Sequence, residues 1–485
     1  MLRTIRIILA ALAFVCITLL FLDFTGATHA FLGWLAKIQL LPAILSVNVA
    51  VIVALVLLTL IFGRIYCSVI CPLGVMQDII AWLGKRGKKK NRFKYSYSKP
   101  KTWLRIVMLV IMVVSIVFGI GAITALLAPY SAYGRIASSF FTPIYALVNN
   151  LFASIAERAG SYAFYPTEVW GKALAVVIVA AVTLIALAIL AWRNGRTYCN
   201  TICPVGTVLG FISKFSLLKP VIDTEKCTGC KLCGRGCKAA CIDTENHKID
   251  YSRCVACMDC INICNSGAIQ YKPVWSAAKE GEVKADAGRR AFITTAALLG
   301  ASAIEAKADV ISKKNPAPAT RITPPGSVSV KNLTDKCIAC QLCVQACPNN
   351  ILKPSSDLNH FMQPEVVYND TYCRPECTAC SEVCPTGAIR PISKEEKSST
   401  QIGHAVWYKE LCIPLTEGDA CGNCERHCPT GAITMVDYPK PDGKIAKVPA
   451  VDTAKCIGCG ACQALCPARP VSAIRVEGHE IHHTI

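Results

Sequence analysis

The sequence predicts a polytopic α-helical membrane domain of four spans, with a possible fifth, joined to small α+β modules organised around cysteines. Three observations lead there. Four apolar runs crowd the first 192 of the 485 residues. Thirty cysteines fall mostly beyond those runs, in groups of four. A motif with two cysteines occurs twice, once after every second apolar run. The composition agrees: 53% hydrophobic and 17% charged residues is too apolar for an ordinary soluble protein and far from a disordered one.

The apolar runs cover residues 7–24, 45–62, 104–121 and 173–192. Each is close to the roughly 20 residues needed to cross a hydrocarbon core of about 30 Å. The first is long, lacks a convincing cleavage site and is followed by further spans, so it reads as a span rather than a cleaved signal peptide. Charge sets the orientation. Arg3 and Arg6 precede the first run, and Arg193 and Arg196 follow the fourth. Between the second and third runs lie Arg64, Lys85, Arg86, Lys88, Lys89, Lys90, Arg92, Lys94, Lys99, Lys101 and Arg105, against Asp78 alone. These segments belong in the cytoplasm, which places the chain in the inner (cytoplasmic) membrane as a multi-pass protein. The net charge of +19 follows from that topology. Basic run 85–94 serves this retention in the cytoplasm; anionic lipid or RNA is the other reading, and without interleaved aromatic residues or a nucleic-acid motif, nucleic acid is not an expected partner.

The second run ends in Gly63-Arg64-Ile65-Tyr66-Cys67-Ser68-Val69-Ile70-Cys71-Pro72-Leu73-Gly74, and the fourth in Gly195-Arg196-Thr197-Tyr198-Cys199-Asn200-Thr201-Ile202-Cys203-Pro204-Val205-Gly206. The shared pattern G-R-x-Y-C-x3-C-P-x-G marks a duplicated two-span unit.

The other cysteines form six runs of four. Two follow the fourth span: Cys227, Cys230, Cys233, Cys237 and Cys254, Cys257, Cys260, Cys264. Four lie beyond residue 330: Cys337, Cys340, Cys343, Cys347; Cys373, Cys377, Cys380, Cys384; Cys412, Cys421, Cys424, Cys428; and Cys456, Cys459, Cys462, Cys466. Three thiolates at C-x2-C-x2-C spacing wrap one face of a [4Fe–4S] cube, and the fourth Cys reaches the other cluster of a pair. The first two runs should therefore exchange Cys237 and Cys264. Lys238 and Asn265 stand where a proline usually follows the fourth Cys, which bears on the rigidity of that turn. The second and third outer runs have widened first gaps, which lengthen a loop without moving the last three ligands. Zinc sites pair two C-x2-C units across a longer gap, and disulfides neither suit such tight loops nor the cytoplasm. Six [4Fe–4S] clusters in ferredoxin-like modules are expected. In the outer set, pairing of the first run with the second and of the third with the fourth is favoured, because sequential elements are usually neighbours; pairing the first with the fourth is the alternative.

Six cysteines remain: Cys16, Cys67, Cys71, Cys199, Cys203 and Cys241. Cys16 reads as a packing thiol and Cys241 as a spare buried thiol or substitute ligand. Cys67, Cys71, Cys199 and Cys203 have three readings: joint metal ligands, redox-active dithiols, or structural thiols at two helix ends.

Residues 288–308 contain Arg289-Arg290, an apolar stretch and Ala306-Lys307-Ala308, the form of a twin-arginine export signal in an internal position. A chance arginine pair before a short fifth helix is the other reading. Clusters are assembled in the cytoplasm, so a module carrying four must cross the membrane folded. The expected organisation is a four-span domain over 1–205, a cytoplasmic two-cluster domain over 206–280, the signal-like segment over 285–310, a linker over 311–330 and a periplasmic four-cluster domain over 331–485.

On these motifs, residues 1–280 resemble the NapH family of polytopic membrane ferredoxins, and residues 285–485 resemble the NapG family of exported four-cluster ferredoxins. The chain looks like a fusion of the two. NosR- and CcoG-type proteins share the membrane motifs, but no N-terminal flavin domain of the NosR kind is present. The resemblance implies quinol dehydrogenase activity, with electrons passed to a periplasmic reductase or cytochrome.

The residues alone agree on one-electron chemistry, since cysteine-ligated clusters are one-electron carriers. No nucleotide-binding fingerprint, Ser–His–Asp arrangement or zinc-protease motif occurs. Oxidising menaquinol or another quinol from the membrane pool also needs a proton acceptor, for which Asp23, His29, Lys37 and Glu168 are candidates at the outer membrane edge. Tyr130, Tyr133 and Arg135 are weaker ones. Two other functions remain open: a maturation factor that reduces a metal or thiol in another enzyme, and a conduit carrying electrons from a cytoplasmic ferredoxin to the outer clusters.

Overall fold

The computed structural model describes residues 1–23, 26–85, 95–161, 166, 174–274, 315–357, 359–440 and 443–485. Arg289, Arg290 and Glu168 lie outside the described residues.

The membrane part is helical. Helix α1 (Leu2–Leu22) is followed by three short helices, α2 (Ala27–Leu32), α3 (Trp34–Lys37) and α4 (Leu40–Leu45). Helix α5 (Val49–Phe62) then leads into α6 (Ile65–Val69) and α7 (Pro72–Leu83). After the basic segment come α8 (Thr102–Val117), α9 (Gly121–Leu127), α10 (Pro129–Ile136) and, through a π turn, α11 (Thr142–Arg158). The second copy of the repeat is α12 (Leu174–Asn194), α13 (Thr197–Thr201) and α14 (Pro204–Ser213).

Three of these stretches are long and apolar enough to cross a membrane: Leu2–Leu22, Pro129–Arg158 and Leu174–Asn194. The expected second and third spans appear as shorter helices, Val49–Phe62 and Thr102–Val117. Backbone breaks shorten them: Gly63 (φ 69°) ends α5 and Gly119 (φ 68°) follows α8. Pro129–Arg158 was not anticipated; it is the least apolar of the three, with a mean hydropathy of 1.2. Outward faces are apolar on long and short helices alike. Ile8, Leu12, Val15 and Leu19 are exposed on α1, Val53, Leu57 and Ile61 on α5, and Ile178, Val182, Ile185 and Ile189 on α12. Exposed apolar stripes at i, i+3 and i+4 are faces suited to lipid.

Two small modules cap the helical part. In the inner one, β1 (Leu218–Ile222) pairs antiparallel with β4 (Ile269–Pro273), and β2 (Ile242–Asp243) with β3 (Lys248–Ile249). In the outer one, β5 (Leu352–Pro354) pairs with β6 (Pro364–Val366), β8 (Ile433–Pro439) with β9 (Ile445–Val451), and β7 (Thr400–Trp407) with β10 (Ile474–Thr484), all antiparallel.

Helix α1 relates the modules. Near its start, Arg3 pairs with Asp259 of the inner module at 2.8 Å. At its far end, Phe21 packs on Tyr130, 5.8 Å between ring centroids, and α1 touches the outer-module helix Leu342–Ala346. A 21-residue helix is about 30 Å long, so the modules sit at opposite ends of a membrane-length element.

The expected linker over 311–330 is corrected in its described part. Residues 319–328 are built into the outer module: Val366 donates to the Ile322 carbonyl (3.0 Å), Gly478 to Thr320 (3.2 Å), Arg390 to Gly326 (2.9 Å) and His482 to Val328 (2.8 Å). Ile322 and Thr323 are buried.

Candidate iron–sulfur sites and the thiol quartet between them

In the regular runs the chain turns tightly between cysteines. Lys231, Met258, Gln341 and Gly460, each just after the second Cys, have positive φ, as do Gly229, Ala256, Ala339 and Gly458 two residues earlier. A non-glycine residue there costs about 1 kcal/mol or more. The strain turns successive thiols to one side, with the third on a short helix.

The foursomes assemble crosswise. Cys233 lies within electrostatic reach of Cys227, Cys230 and Cys264. Cys260 lies within reach of Cys254, Cys257 and Cys237. Beyond residue 330, one cavity is lined by Cys337, Cys340, Cys343 and Cys384. Cys380 gathers with Cys373, Cys377 and Cys347. A further cavity is lined by Cys412, Cys421, Cys424 and Cys466, and another by Cys456, Cys459, Cys462 and Cys428. Sequential runs are thus paired in both modules. Four thiols around a small apolar hollow fit a cluster of several atoms. Neither these groups nor any other among the described residues are drawn in as tightly as a single ion requires.

Cys241 is a fifth thiol at one inner site, 3.6 Å from Cys237 Sγ. The missing proline after Cys237 also has a structural reason. Lys238 is buried, and its ammonium bridges Asp78 (3.0 Å) and Asp259 (3.2 Å). Asp78, on α7, also receives Arg196 (2.7 Å) and Arg6 (2.9 Å). This ion network joins α1, both repeats and the inner module.

The duplicated motif accounts for nearly all its letters. Gly63 and Gly195 (φ 67°) end their helices in the left-handed region, where glycine carries no Cβ penalty. Arg64 crosses to the second repeat, donating to the Cys199 carbonyl (3.2 Å) and Asn200 Oδ1 (2.9 Å). Arg196 crosses back to the Cys67 carbonyl (2.8 Å). Gly74 and Gly206 leave room for those guanidiniums; an added Cβ would lie 2.6 Å from Arg196 and 2.8 Å from Arg64, respectively. Pro72 and Pro204 open α7 and α14, where the missing N–H costs nothing. The helices are exchanged as well: α7 packs on α12 of the other repeat, and α14 on α5.

This exchange brings Cys67, Cys71, Cys199 and Cys203 together, all buried. Cys203 lies within electrostatic reach of the other three. Cys199 Sγ is 3.4 Å from Gln77 Nε2 and 3.9 Å from Arg196, and Cys67 Sγ is 3.8 Å from Arg64. Tyr66 and Tyr198 flank the thiols.

At the outer end, Tyr130 lies within electrostatic reach of both Tyr66 and Cys340. Ser131 donates to the Ile338 and Ala339 carbonyls (2.5 and 3.2 Å). Arg135 is fully buried near Cys340 and Tyr198, and its Nε and Nη2 have no hydrogen-bond partner among the described residues. Tyr133 bonds Thr18 (2.5 Å). His29 is half-buried, with Nε2 2.8 Å from the Leu20 carbonyl; burial lowers its pKa. Asp23 accepts the amides of Gly26 (3.0 Å) and His29 (3.1 Å). Lys37 is exposed and belongs to neither group. Cys16 packs at the edge of the core. The residues missed from sequence are Asp78, Gln77 and the roles of Arg64 and Arg196; identical placement of the arginines in both copies was the available signal.

Residues 46–91 and 174–222 match the family model of a 4Fe-4S binding domain. Two models of 4Fe-4S dicluster domains match 336–388 with 419–469, and 250–351. The methylamine utilization ferredoxin-type protein MauM of Methylobacillus flagellatus is 35% identical over 176 residues, covering 35% of this chain and 74% of that protein. The ferredoxin-type protein NapG of Escherichia coli is 32% identical over 176 residues, covering 34% and 75%. The chain belongs to the MauM/NapG ferredoxin-type family. As a member of that family it is an iron–sulfur electron-transfer protein. An uncharacterized protein of Methanocaldococcus jannaschii is 23% identical over 250 residues, covering 51% of this chain and 79% of that protein. No solved structure matches the chain.

Proposed function

We propose that the protein oxidises quinol in the cytoplasmic membrane and passes the electrons, through six [4Fe–4S] clusters, to a reductase or cytochrome on the periplasmic side. In this reading it joins a NapH-like membrane part to a NapG-like exported part, and four spans carry the chain across the membrane. The 24 cysteines of the six foursomes hold the clusters, which supply one-electron storage. The observation that carries the reading is the docking at the outer end of α1. There Phe21 and Tyr130 meet the loop of Cys340, a few residues from Asp23 and His29.

The side chains at that end suit the proton side of the reaction. Quinol gives up two electrons and two protons on becoming quinone. With Nε2 directed at the Leu20 carbonyl, His29 Nδ1 is left to accept a proton. Burial lowers the pKa of the ring, and Asp23 holds the backbone of the His29 turn in place. Reduction of the purified protein by a menaquinol analogue, followed by electron paramagnetic resonance, tests this. His29→Gln should slow quinol-driven reduction roughly 100-fold, within the range for a lost general base, and leave reduction by dithionite unchanged. Equal quinol rates in parent and variant would move the site elsewhere.

The periplasmic placement rests on Arg289 and Arg290. Replacing both by Lys keeps the charge and removes the planar guanidinium a receptor can read. A reporter fused to the C-terminus should then stay inside the cell while the helical part still inserts. Export of the Lys–Lys variant at the parent level would refute the signal.

A further inference from the structure

Building on the cluster reading of the six runs, we propose that Cys67, Cys71, Cys199 and Cys203 together ligate a seventh iron–sulfur cluster, which connects the inner pair of clusters to the outer four.

Neither repeat can do this alone. The two segments that match a 4Fe-4S binding domain, 46–91 and 174–222, contain only Cys67 with Cys71 and Cys199 with Cys203. A cluster held by protein thiolates takes four. The exchange of α7 and α14 between repeats supplies two from each, in one buried group.

Charge points the same way. Arg64 is fully buried, pairs with no carboxylate among the described residues, and has an unpartnered Nε. A buried guanidinium without a counter-charge costs several kcal/mol. Four thiolates on a two- or four-iron core leave a net negative charge, and Arg64 and Arg196 each place a nitrogen within 4 Å of one of those sulfurs (3.8 and 3.9 Å). Zinc has no redox chemistry, and no group among the described residues is arranged to hold a single metal ion.

Position completes the case. Toward the inner face, Arg64 donates to the Ser252 carbonyl (3.0 Å), two residues before Cys254. Arg196 N donates to the Lys238 carbonyl (2.8 Å), the residue after Cys237. Toward the outer face, Tyr130 lies within electrostatic reach of both Tyr66 and Cys340, and Arg135 of both Tyr198 and Cys340. The step is a plain electron transfer. The inner cluster of Cys237, Cys254, Cys257 and Cys260 loses one electron, the quartet cluster carries it, and the outer cluster of Cys337, Cys340, Cys343 and Cys384 gains it. No bond is made or broken and no proton moves. This route is a second entry for electrons beside the quinol of the proposed function: its donor is a reduced low-potential ferredoxin at the inner face, and its final acceptor the same oxidised reductase or cytochrome at the outer face.

The test compares the full-length protein with Cys67→Ser/Cys199→Ser and with Arg64→Gln. Anaerobic iron and sulfide analysis should give the parent about two or four iron atoms beyond the roughly 24 of six cubes. The serine variant should lose that increment alone, and Arg64→Gln should keep it with a shifted reduction potential. In proteoliposomes, reduced ferredoxin at the inner face should reduce all clusters of the parent but only the inner pair of the serine variant. Equal iron in parent and serine variant, or zinc at the quartet, overturns the seventh cluster, as does reduction of the outer clusters in that variant at the parent rate. A parent total short by whole cubes, with the increment still lost in the variant, strikes the six-run reading instead.

Discussion

Asp78→Asn should loosen the whole inner end of the protein. The Asp78 carboxylate accepts Arg6, Arg196 and Lys238 at 2.9, 2.7 and 3.0 Å, and the three cations are at most 7% exposed. Asparagine keeps the volume and removes the charge. Lys238 would retain Asp259 (3.2 Å), while Arg6 would keep the Ser68 carbonyl, and Arg196 the Cys67 carbonyl and the Cys199 sulfur. Removing one partner of a buried ion pair costs about 3–5 kcal/mol, against a typical total stability of about 5–15 kcal/mol. We expect a melting transition far below that of the parent, and loss of iron from the inner pair before the outer four. Arg6 and Lys238 reach the same carboxylate, so Asp78→Asn/Lys238→Met should be less damaged than the sum of the single changes. A parent-like melt for Asp78→Asn would mean that the network contributes nothing to docking of the inner module.

That network was hidden from the sequence for a physical reason. Lys238 stands where Cys-Pro is usual, and from sequence its replacement bears only on turn rigidity. Its partners lie 160 and 21 residues away, at Asp78 and Asp259, and no local pattern relates them. The cysteine runs were legible because three of four thiols in each foursome are placed by a short turn. The choice of the fourth is a matter of packing, and the structure brings sequential runs together. The duplicated motif was legible as a repeat, but its arginines work only across the repeat, which a linear reading does not show.

Hydropathy favoured 45–62 and 104–121 and passed over Pro129–Arg158, where Ser131, Arg135, Ser138 and Ser139 dilute the apolar signal. All four face the interior. Ser131 meets carbonyls of the outer module, and Arg135 meets the Ala125 carbonyl (2.7 Å) and Ser131 (2.5 Å). A helix that turns its polar residues toward a neighbouring module carries a weaker apolar signal than its length would suggest. In the 315–330 segment, Pro and Ser content suggested a free linker, while the burial that decides otherwise comes from strands far along the chain.

Gly134→Val should separate the outer clusters from the rest of the chain without dismantling them. Gly134 lies on α10 against the loop of Cys340. A Cβ there would stand 2.3 Å from the Cys340 carbonyl oxygen and 2.9 Å from the Phe21 ring. The ring can turn, but the carbonyl belongs to the strained loop that turns Cys337, Cys340 and Cys343 toward one hollow, and it cannot move without disturbing them. The easier response is for the outer module to lift away from α10, breaking the two Ser131 bonds. Overpacking of this kind costs about 1–3 kcal/mol, roughly a 5- to 150-fold change in an equilibrium constant. We expect normal iron content, intact signals from all six foursomes, and quinol-driven reduction of the outer four slowed in proportion to the lost docking. Ser131→Ala, which removes the bonds without a clash, should show the same defect more weakly. Protease accessibility of 315–330 offers an independent reading of undocking. Parent rates and parent protection in Gly134→Val would show that electrons enter the outer module by a route that avoids Tyr130 and Cys340.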